Sequence, residues 1–289
     1  MYYIEKNDKP SILDNLFCRI KIEGNKLLLP NFQKLNKKKN LKISKKLNKI
    51  LERTNSNKIV LSKEIHENIE LENQLNSYGY YVVDGKILFE ILVNDILNIM
   101  IIKKNMKKKE IQISILVNSL SDYVLENIKI LANEYKSINI VTNHIEKFKK
   151  IEEKIYDEYG LVLTVTNNKK KSLAKSKLIV NIDFPNELIN KYYIFEEAIV
   201  LDIRGDVKIN KKRFNGIIIK DYEIQTSLIE ENNKYYTKEL YEAKLYPNMN
   251  YNEIISRIKN DKVKVYALLG CNGEILWKSF IFFLKYNIM

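Results

Sequence analysis

Residues 111–203 alternate short apolar runs with amphipathic segments, and this alternation limits the fold more than any other feature of the chain. Apolar runs of this length, separated by segments with helical spacing, are typical of parallel strands that helices cover on both faces. The predicted strands lie at residues 111–117, 138–142, 161–165, 177–182 and 198–203. The sequence therefore predicts an α/β fold with a doubly wound parallel sheet.

Capping residues place the first two helices of this stretch. Ser121 and Asp122 precede apolar residues at helical spacing, so we expect a helix that Ser121 caps. A second helix is predicted over residues 146–159, and Gly160 follows it where a left-handed C-cap favours glycine. Each helix then starts just after the carboxyl end of a strand.

The first third of the chain predicts a small α/β domain. It has a hairpin over residues 17–30, an amphipathic helix over 41–51, and a strand–helix–strand unit over 58–83. Residues 86–103 form a helix that is apolar nearly all round, so it either connects two domains or forms a contact in a homo-oligomer. The lysine-rich residues after it mark a boundary between domains at 1–105 and 106–289.

The remaining residues predict further strands and helices of the second domain. These are a sixth strand at 216–220, helices at 227–241 and 252–259, and a strand at 263–269. Tyrosines are interleaved with lysines in the first of these helices. The tyrosine rings either stack on nucleic-acid bases or, as we favour, pack on the sheet. Gly270 and Gly273 form either a hairpin turn, which we favour, or a turn that contacts a ligand.

Composition limits the classes of function. The net charge of +13 comes mostly from lysines spread over the whole chain, which favours solvated faces over a nucleic-acid surface, although nucleic acid stays open as a partner. Cys18 and Cys271 are too few for a disulfide framework, so we expect a reducing cytoplasm. No metal site is predicted, because His66 and His144 have no cysteine pair nearby. No unbroken apolar run reaches about 18 residues, so we expect a soluble protein with no membrane partner.

Several segments resemble one group of nucleotide-binding domains. Residues 140–147, read Ile-Val-Thr-Asn-His-Ile-Glu-Lys, are similar to the second strand and loop of the NAD(P)-binding domain in shikimate dehydrogenase and glutamyl-tRNA reductase. Residues 172–182 and 198–203 are similar to the fourth and fifth strands of that domain. The resemblance covers about a third of the chain. It implies a Rossmann-like domain behind a smaller α/β domain, and an oxidoreductase with NAD or NADP as cofactor.

The candidate cofactor-binding residues follow from where ligands meet this fold. In open parallel sheets ligands bind beyond the carboxyl ends of the strands. The polar residues expected there are Asn118, Ser119, Ser121, Asn143, His144, Lys147 and Asp183. Asp202, Arg204 and Asp206 lie at the end of the fifth strand; they either line the same crevice or cap the next turns.

One departure from the resemblance bears directly on function. The usual pyrophosphate site needs a glycine-rich turn, yet no glycine lies between Gly85 and Gly160, and Asp122 adds negative charge. We therefore favour altered or lost dinucleotide binding: the site either binds a different ligand or no longer binds a dinucleotide. No residue stands out as a catalytic acid, base or nucleophile. The alternative is a non-enzymatic regulatory or scaffolding protein that contacts protein or nucleic acid.

Overall fold

The computed structural model describes residues 1–30, 37–54, 57–135, 137–160, 162–210, 212–229, 234–245 and 249–278. The strands of these residues are, in chain order, β1 (Tyr2–Lys6), β2 (Lys21–Glu23), β3 (Lys26–Leu29), β4 (Lys58–Leu61), β5 (Tyr81–Val82), β6 (Gln112–Leu116), β7 (Ser137–Val141), β8 (Leu163–Thr166), β9 (Leu178–Asn181), β10 (Ile199–Asp202), β11 (Ile217–Ile219), β12 (Asp221–Gln225), β13 (Lys264–Leu269) and β14 (Ile275–Lys278). The α-helices are α1 (Ile12–Phe17), α2 (Lys37–Leu51), α3 (Lys63–His66), α4 (Ile69–Ser77), α5 (Lys86–Ile91), α6 (Val93–Lys103), α7 (Asp122–Glu134), α8 (Ile145–Tyr159), α9 (Asn186–Ile189), α10 (Thr237–Leu245) and α11 (Tyr251–Asn260).

The chain divides into two compact units, and neither is continuous in sequence. Unit 1 contains Met1–Gly85 and Thr226–Met249, and unit 2 contains Lys86–Gln225 and Asn250–Met289. The sequence placed a boundary near residue 105. The division instead follows Gly85, because α5 and α6 pack with the helices of unit 2; for example, Asn127 Nδ2 donates to the carbonyl oxygen of Glu90 at 2.7 Å.

Unit 1 is built on a five-stranded sheet with the order β2-β3-β1-β4-β5. Its pairs are parallel except for the β2–β3 hairpin. Apolar residues of β1, β3 and β4 pack with those of α2 and α4 in a buried core. The predicted hairpin is present, but its first half was wrong: Phe17 ends helix α1, and pairing begins at Lys21. The central strand β1 was not predicted.

Unit 2 contains a six-stranded sheet whose order is β8-β7-β6-β9-β10-β11. All of its pairs are parallel. Numbered within the unit, this order is 3-2-1-4-5-6, the Rossmann order, and it reverses direction between β6 and β9. The predicted α/β fold, with a small α/β unit and a Rossmann-like parallel sheet, is therefore confirmed.

Two glycines fit positions that few other residues tolerate. Gly160 ends α8 with a φ of 64° and donates its N–H to the carbonyl oxygen of Tyr156 at 2.8 Å, as the sequence predicted. Gly216 precedes β11, where an added Cβ would lie 2.0 Å from the carbonyl oxygen of Ala198. The sixth strand can therefore approach the fifth only with glycine at this position.

The apolar segment at 86–103 forms two helices rather than one. Leu92 separates α5 from α6, and most of the apolar side chains of both helices are buried. The Phe89 ring stacks against the Tyr222 ring of the same unit, with 4.6 Å between ring centroids. Contacts within unit 2 thus account for much of this apolar surface without a second copy of the chain.

The crossover from β8 to β9 is held by polar contacts on the sheet. The Ser172 carbonyl oxygen accepts hydrogen bonds from Ser114 Oγ at 3.1 Å and from Asn139 Nδ2 at 3.3 Å. Ser114 Oγ also lies 2.6 Å from Ser176 Oγ. Ser114 and Ser176 are buried, so each of their hydroxyls needs the partner that it finds here.

Unit 2 also contains a three-stranded antiparallel sheet with the order β12-β13-β14. Gly270 and Gly273 lie in the turn that joins the antiparallel strands β13 and β14. The hairpin interpretation of these glycines is therefore correct. Of the predicted helix at 227–241, residues 230–233 lie outside the described residues, and the helix seen is α10.

Candidate functional site

The candidate site lies where the order of the unit 2 sheet reverses. Strands β6 and β9 pair there in parallel, so the segments that follow Leu116 and Asn181 leave the sheet side by side. Ligands of this fold bind beyond such a reversal, next to the loop between the first strand and the first helix. That loop here joins β6 to α7.

Asp183 holds the β6–α7 loop with both carboxylate oxygens. The backbone N–H of Asn118 donates to Oδ1 at 2.8 Å and to Oδ2 at 3.0 Å, and the N–H of Ser119 donates to Oδ2 at 2.6 Å. Hydrogen bonds from N–H groups to a carboxylate are among the stronger ones in proteins. The backbone donors of this loop therefore already bind an anion that belongs to the chain itself.

The start of α7 is satisfied locally as well. Ser121 Oγ accepts the N–H of Val124 at 3.1 Å, as the predicted cap requires, and the same hydroxyl donates to a carboxylate oxygen of Glu90. Burial raises the pKa of the Glu90 carboxyl; the Ser121 hydrogen bond opposes this shift and the charge of Asp183 adds to it. Two acidic side chains thus lie close to the loop.

The β6–α7 loop has ordinary backbone conformations in place of a glycine turn. Among the described residues that are not glycine, only Cys18, Asn105 and Lys262 have a positive φ, and none of them lies in this loop. Chains that contact pyrophosphate closely use glycine here because a side chain would block the approach. The β6–α7 loop and the start of α7 carry side chains instead, those of Asn118, Ser119 and Asp122.

The second loop of the site is tied to the first. The side-chain oxygen of Asn118 accepts the N–H of Asn143 at 3.0 Å, and the N–H of His144 donates to Thr142 Oγ1 at 3.1 Å. His144 precedes α8 without a side-chain cap bond, and both His144 and Lys147 are exposed. His144 thus lies at the start of α8 and Lys147 in its first turn.

The structure therefore sorts the seven predicted residues into three groups. Asn118, Ser119, Asn143 and Asp183 form one hydrogen-bonded group. Ser121 faces Glu90 and the first turn of α7. His144 and Lys147 stay exposed on the neighbouring loop and helix.

Asp202 resolves the alternatives that the sequence left open at the fifth strand. Its side chain is fully buried, accepts a hydrogen bond from Asn181 Nδ2 at 2.8 Å and another from the N–H of Val207 at 2.8 Å. Burial raises the pKa of Asp202 despite these bonds. Arg204 and Asp206 form an ion pair with each other at 2.7 Å. Asp202 therefore caps the following turn.

A second group of ionisable side chains lies in unit 1 and was missed by sequence reasoning. His66 Nε2 lies 3.0 Å from a carboxylate oxygen of Glu239, and His66 Nδ1 lies 3.4 Å from one of Glu72. Burial opposes a charge on the imidazole, but the hydrogen bonds to Glu239 and Glu72 outweigh it and raise the pKa of His66 to about 9. The imidazole is therefore protonated at neutral pH.

This His66 group adjoins the carboxyl end of β4. Lys63 begins α3, and its Nζ lies 5.2 Å from the centre of the Tyr236 ring; Lys238 Nζ lies 5.4 Å from the same centre. The hydroxyl of Ser62 is buried without a hydrogen-bond partner. Tyr235 and Tyr241 of this segment are buried, which supports packing rather than base stacking for them. Since Glu239 is 173 positions from His66, no spacing in the sequence could have indicated the pair.

The described part of the chain contains no metal-ligand group, no membrane-spanning helix and no disulfide. No group of three histidine, cysteine, aspartate or glutamate side chains there could hold a metal ion. None of the described helices is long and apolar enough to cross a bilayer. Cys18 is buried and Cys271 is partly buried, and neither is paired in a disulfide.

Comparisons with known proteins add a likeness of fold at low similarity. No protein-family model and no curated protein matches the sequence. The structure is similar to the A chain of dipicolinate synthase from Bacillus subtilis, with 14% identity and a TM-score of 0.31, over 53% of this chain and 52% of that one. It is also similar to shikimate 5-dehydrogenase from Listeria monocytogenes in complex with shikimate and NAD, with 13% identity and a TM-score of 0.28, over 70% of this chain and 77% of that one.

The chain thus matches about half the length of the dipicolinate synthase chain. Because both TM-scores are below 0.5, the likeness carries no argument about activity. The assignment of the fold rests on the observed strand order of unit 2.

Proposed function

We propose that this chain is a descendant of NAD(P)-dependent oxidoreductases in which dinucleotide binding has been altered or lost. The observation that carries the proposal is the contact of Asp183 with the N–H groups of Asn118 and Ser119. In a Rossmann domain the groups at this loop bind the pyrophosphate. Here a fixed carboxylate takes the place of that anion.

Electrostatics and sterics support the same conclusion. A dinucleotide would have to displace Asp183, or lie beside it and beside Glu90, and like charges at such distances repel. The displaced carboxylate would also give up hydrogen bonds that contribute about 1.5–3 kcal/mol each. His144 and Lys147 are available to an anion on the neighbouring loop, so a ligand other than a dinucleotide is compatible with this edge.

The direct test is a thermal-shift titration with NAD, NADH, NADP and NADPH. We expect no shift for the wild type, because the donors of the loop are occupied. A ligand that binds the folded state raises its stability by about 2.7 kcal/mol at a hundredfold excess over Kd. A saturable shift of that size with any of the four would contradict the proposal.

A variant separates occupation of the loop from loss of the site. Asp183→Ala frees the N–H groups of Asn118 and Ser119 and removes one negative charge. If the carboxylate alone blocks the site, inorganic pyrophosphate should shift the melting temperature of this variant and not that of the wild type. Asp206→Ala is the matched control, because it removes an acid that follows β10 and is paired with Arg204.

The second candidate function is a non-enzymatic regulatory or scaffolding role with an anionic partner such as nucleic acid. The observation that favours it is α2, which buries one apolar face and exposes lysines on the other. The exposed lysines are Lys37, Lys38, Lys39, Lys42, Lys45 and Lys49. A row of exposed cations on one helix is what a phosphate backbone would contact.

Titration with single- and double-stranded nucleic acid at several salt concentrations tests this role. Each phosphate contact contributes about −0.9 to the slope of log K against log salt for duplex DNA. The triple variant Lys42→Ala/Lys45→Ala/Lys49→Ala should flatten this slope. The same change at Lys149, Lys150 and Lys154, which lie exposed on α8, should leave it unaltered. Affinity that does not respond to salt would exclude the lysine face as a phosphate reader.

A further inference from the structure

Helix α1 in unit 1 displays its apolar side chains to solvent. Ile12 is 86% exposed and Leu16 is 64% exposed, and no residue of the helix is buried. Leu13 and Phe17 are also among the exposed large hydrophobic residues. Scattered apolar residues are ordinary on a surface, but a contiguous group of this kind marks a contact with another molecule.

Contacts at both ends of α1 stabilise the helix. Ser11 and Asp14 form a capping box at its start, with bonds of 3.1 and 3.0 Å. At its end, Lys46 Nζ donates to the carbonyl oxygens of Phe17 at 2.7 Å and Cys18 at 3.1 Å, and the Cys18 side chain is buried in the core. A helix of six residues is not stable alone, so the Lys46 bonds and the buried Cys18 side chain hold it against the rest of the unit.

Strand β2 lies near α1 at the edge of the sheet, since the charges of Asp14 and Lys21 act on each other. All three of its residues are exposed, including Ile22 at 54%, and β3 is its only neighbour in the described sheet. Ile22 lies opposite Leu27, which is fully buried, so Ile22 prolongs the core face of the sheet to its edge. The open edge is therefore apolar on one face.

The other face of β2 carries one charge of each sign. Lys21 Nζ and Glu23 Oε1 lie 2.5 Å apart, on the same side of the strand. If a second copy of β2 pairs antiparallel with Ile22 opposite Ile22, Lys21 of each strand lies opposite Glu23 of the other. The sequence Lys-Ile-Glu is thus self-complementary about a two-fold axis, which is the requirement of an isologous interface.

We propose that this surface, formed by α1 and β2, is the interface with a second copy of the chain. The two β2 strands pair at the axis, the charges alternate across it, and α1 of each copy covers the apolar edge of the other. Charged residues usually protect an open edge strand from pairing. Here Lys21 and Glu23 oppose pairing with most strands, but a second copy of β2 places an opposite charge against each of them.

This interface differs from the contact through residues 86–103 that the sequence suggested. Most apolar residues of α5 and α6 are buried, whereas those of α1 are exposed. The inference does not depend on the proposed function, because it concerns neither the β6–α7 loop nor any ligand.

Charge reversal in the full chain, followed by sedimentation velocity at micromolar concentrations, tests the proposal. Lys21→Glu places two glutamates opposite two glutamates, and Glu23→Lys places lysines opposite lysines. We expect each single variant to dimerise at least about tenfold more weakly than the wild type. An equimolar mixture of the two should recover the dimer, and so should the double variant, in which the charges are exchanged.

A matched pair of apolar substitutions completes the experiment. Leu16→Glu should weaken the dimer, whereas Ile102→Glu should not, although Ile102 of α6 is equally exposed at 64%. All of these residues are at the surface, and circular dichroism checks that the variants fold. A monomeric wild type, a dimer that ignores the single reversals, or a mixture that fails to recover the dimer would each overturn the proposal.

Discussion

The two clusters of acidic side chains, one in each unit, satisfy their charges in different ways. In unit 2, Asp183 accepts hydrogen bonds from backbone N–H groups, which cannot titrate. In unit 1, Glu239 pairs with His66, which can. The second arrangement therefore contains a partner whose charge depends on pH, because the pKa of His66 is raised to about 9.

The largest expected effect comes from removal of the histidine in unit 1. His66→Ala leaves the Glu239 carboxylate nearly buried and without its partner, and loss of one member of a buried pair costs about 3–5 kcal/mol. Chemical denaturation should show a loss near the lower end of this range, because Lys238 lies near Glu239. His66→Gln keeps a donor for Glu239 and is the control; it should lose less. Equal losses for the two variants would show that a neutral donor does not replace the charged imidazole.

The same pair predicts how stability varies with pH. The pKa of His66 is raised to about 9 in the folded state, above its ordinary value of 6.5, so the unfolded chain releases its proton first as the pH rises. The contribution is fully present below pH 6.5 and is lost as the pH rises through about 9. We expect a fall of about 2–3 kcal/mol in the free energy of unfolding over this interval. His66→Gln should flatten that part of the profile.

Asp183→Asn should have a smaller effect on the free energy of unfolding. The amide keeps one oxygen acceptor and loses the charge, so the loop loses the stronger part of its bonding to Asn118 and Ser119. Because the loop is partly exposed, water replaces some of this, and we expect a loss of about 2 kcal/mol. Asp206→Asn is the control and should change stability by less than about 0.5 kcal/mol. The same loss in Asp183→Asn and Asp206→Asn would mean that the bonds of Asp183 to the loop do not stabilise the fold.

The smallest expected effect is that of Asn118→Ala. Its side chain accepts one hydrogen bond, from the N–H of Asn143, while its own N–H to Asp183 remains. The loss should be about 1 kcal/mol. Hydrogen exchange should show faster exchange at Asn143 with little change at Ser119. Faster exchange at Ser119 as well would mean that the two loops open together.

The sequence predicted the parallel sheet of unit 2 well because its strands are apolar on both faces. The run that became β9, for example, is buried at all four positions, and such a run has few alternatives. Strand β1 escaped prediction because its sequence, Tyr-Tyr-Ile-Glu-Lys, mixes polar and apolar residues. Glu5 is nevertheless buried there: burial would raise its pKa, but hydrogen bonds from Tyr235, Lys26 and Lys234 outweigh this and lower it.

The sites were harder to predict than the sheet for a related reason. Strand positions depend on local periodicity, whereas Asp183 meets Asn118 across 65 positions and Glu239 meets His66 across 173. The rule that ligands approach the carboxyl ends of strands brought Asn118, Ser119, Asn143 and Asp183 together correctly. It could not show that these four groups bond to one another. Sequence order gives the neighbours of a loop but not the partners of its donors.

Unit 1 consists of two segments that are far apart in the sequence, and this affects when the unit can fold during synthesis. Met1–Gly85 leave the ribosome before Thr226–Met249, which complete the unit and follow only after most of unit 2 has been synthesised. Until then Glu5 lacks Tyr235, and His66 lacks Glu239. Met1–Gly85 therefore cannot reach their final structure until the second segment is made. A fragment that ends before residue 226 would leave Glu5 with Lys26 but without Tyr235, and His66 with Glu72 but without Glu239.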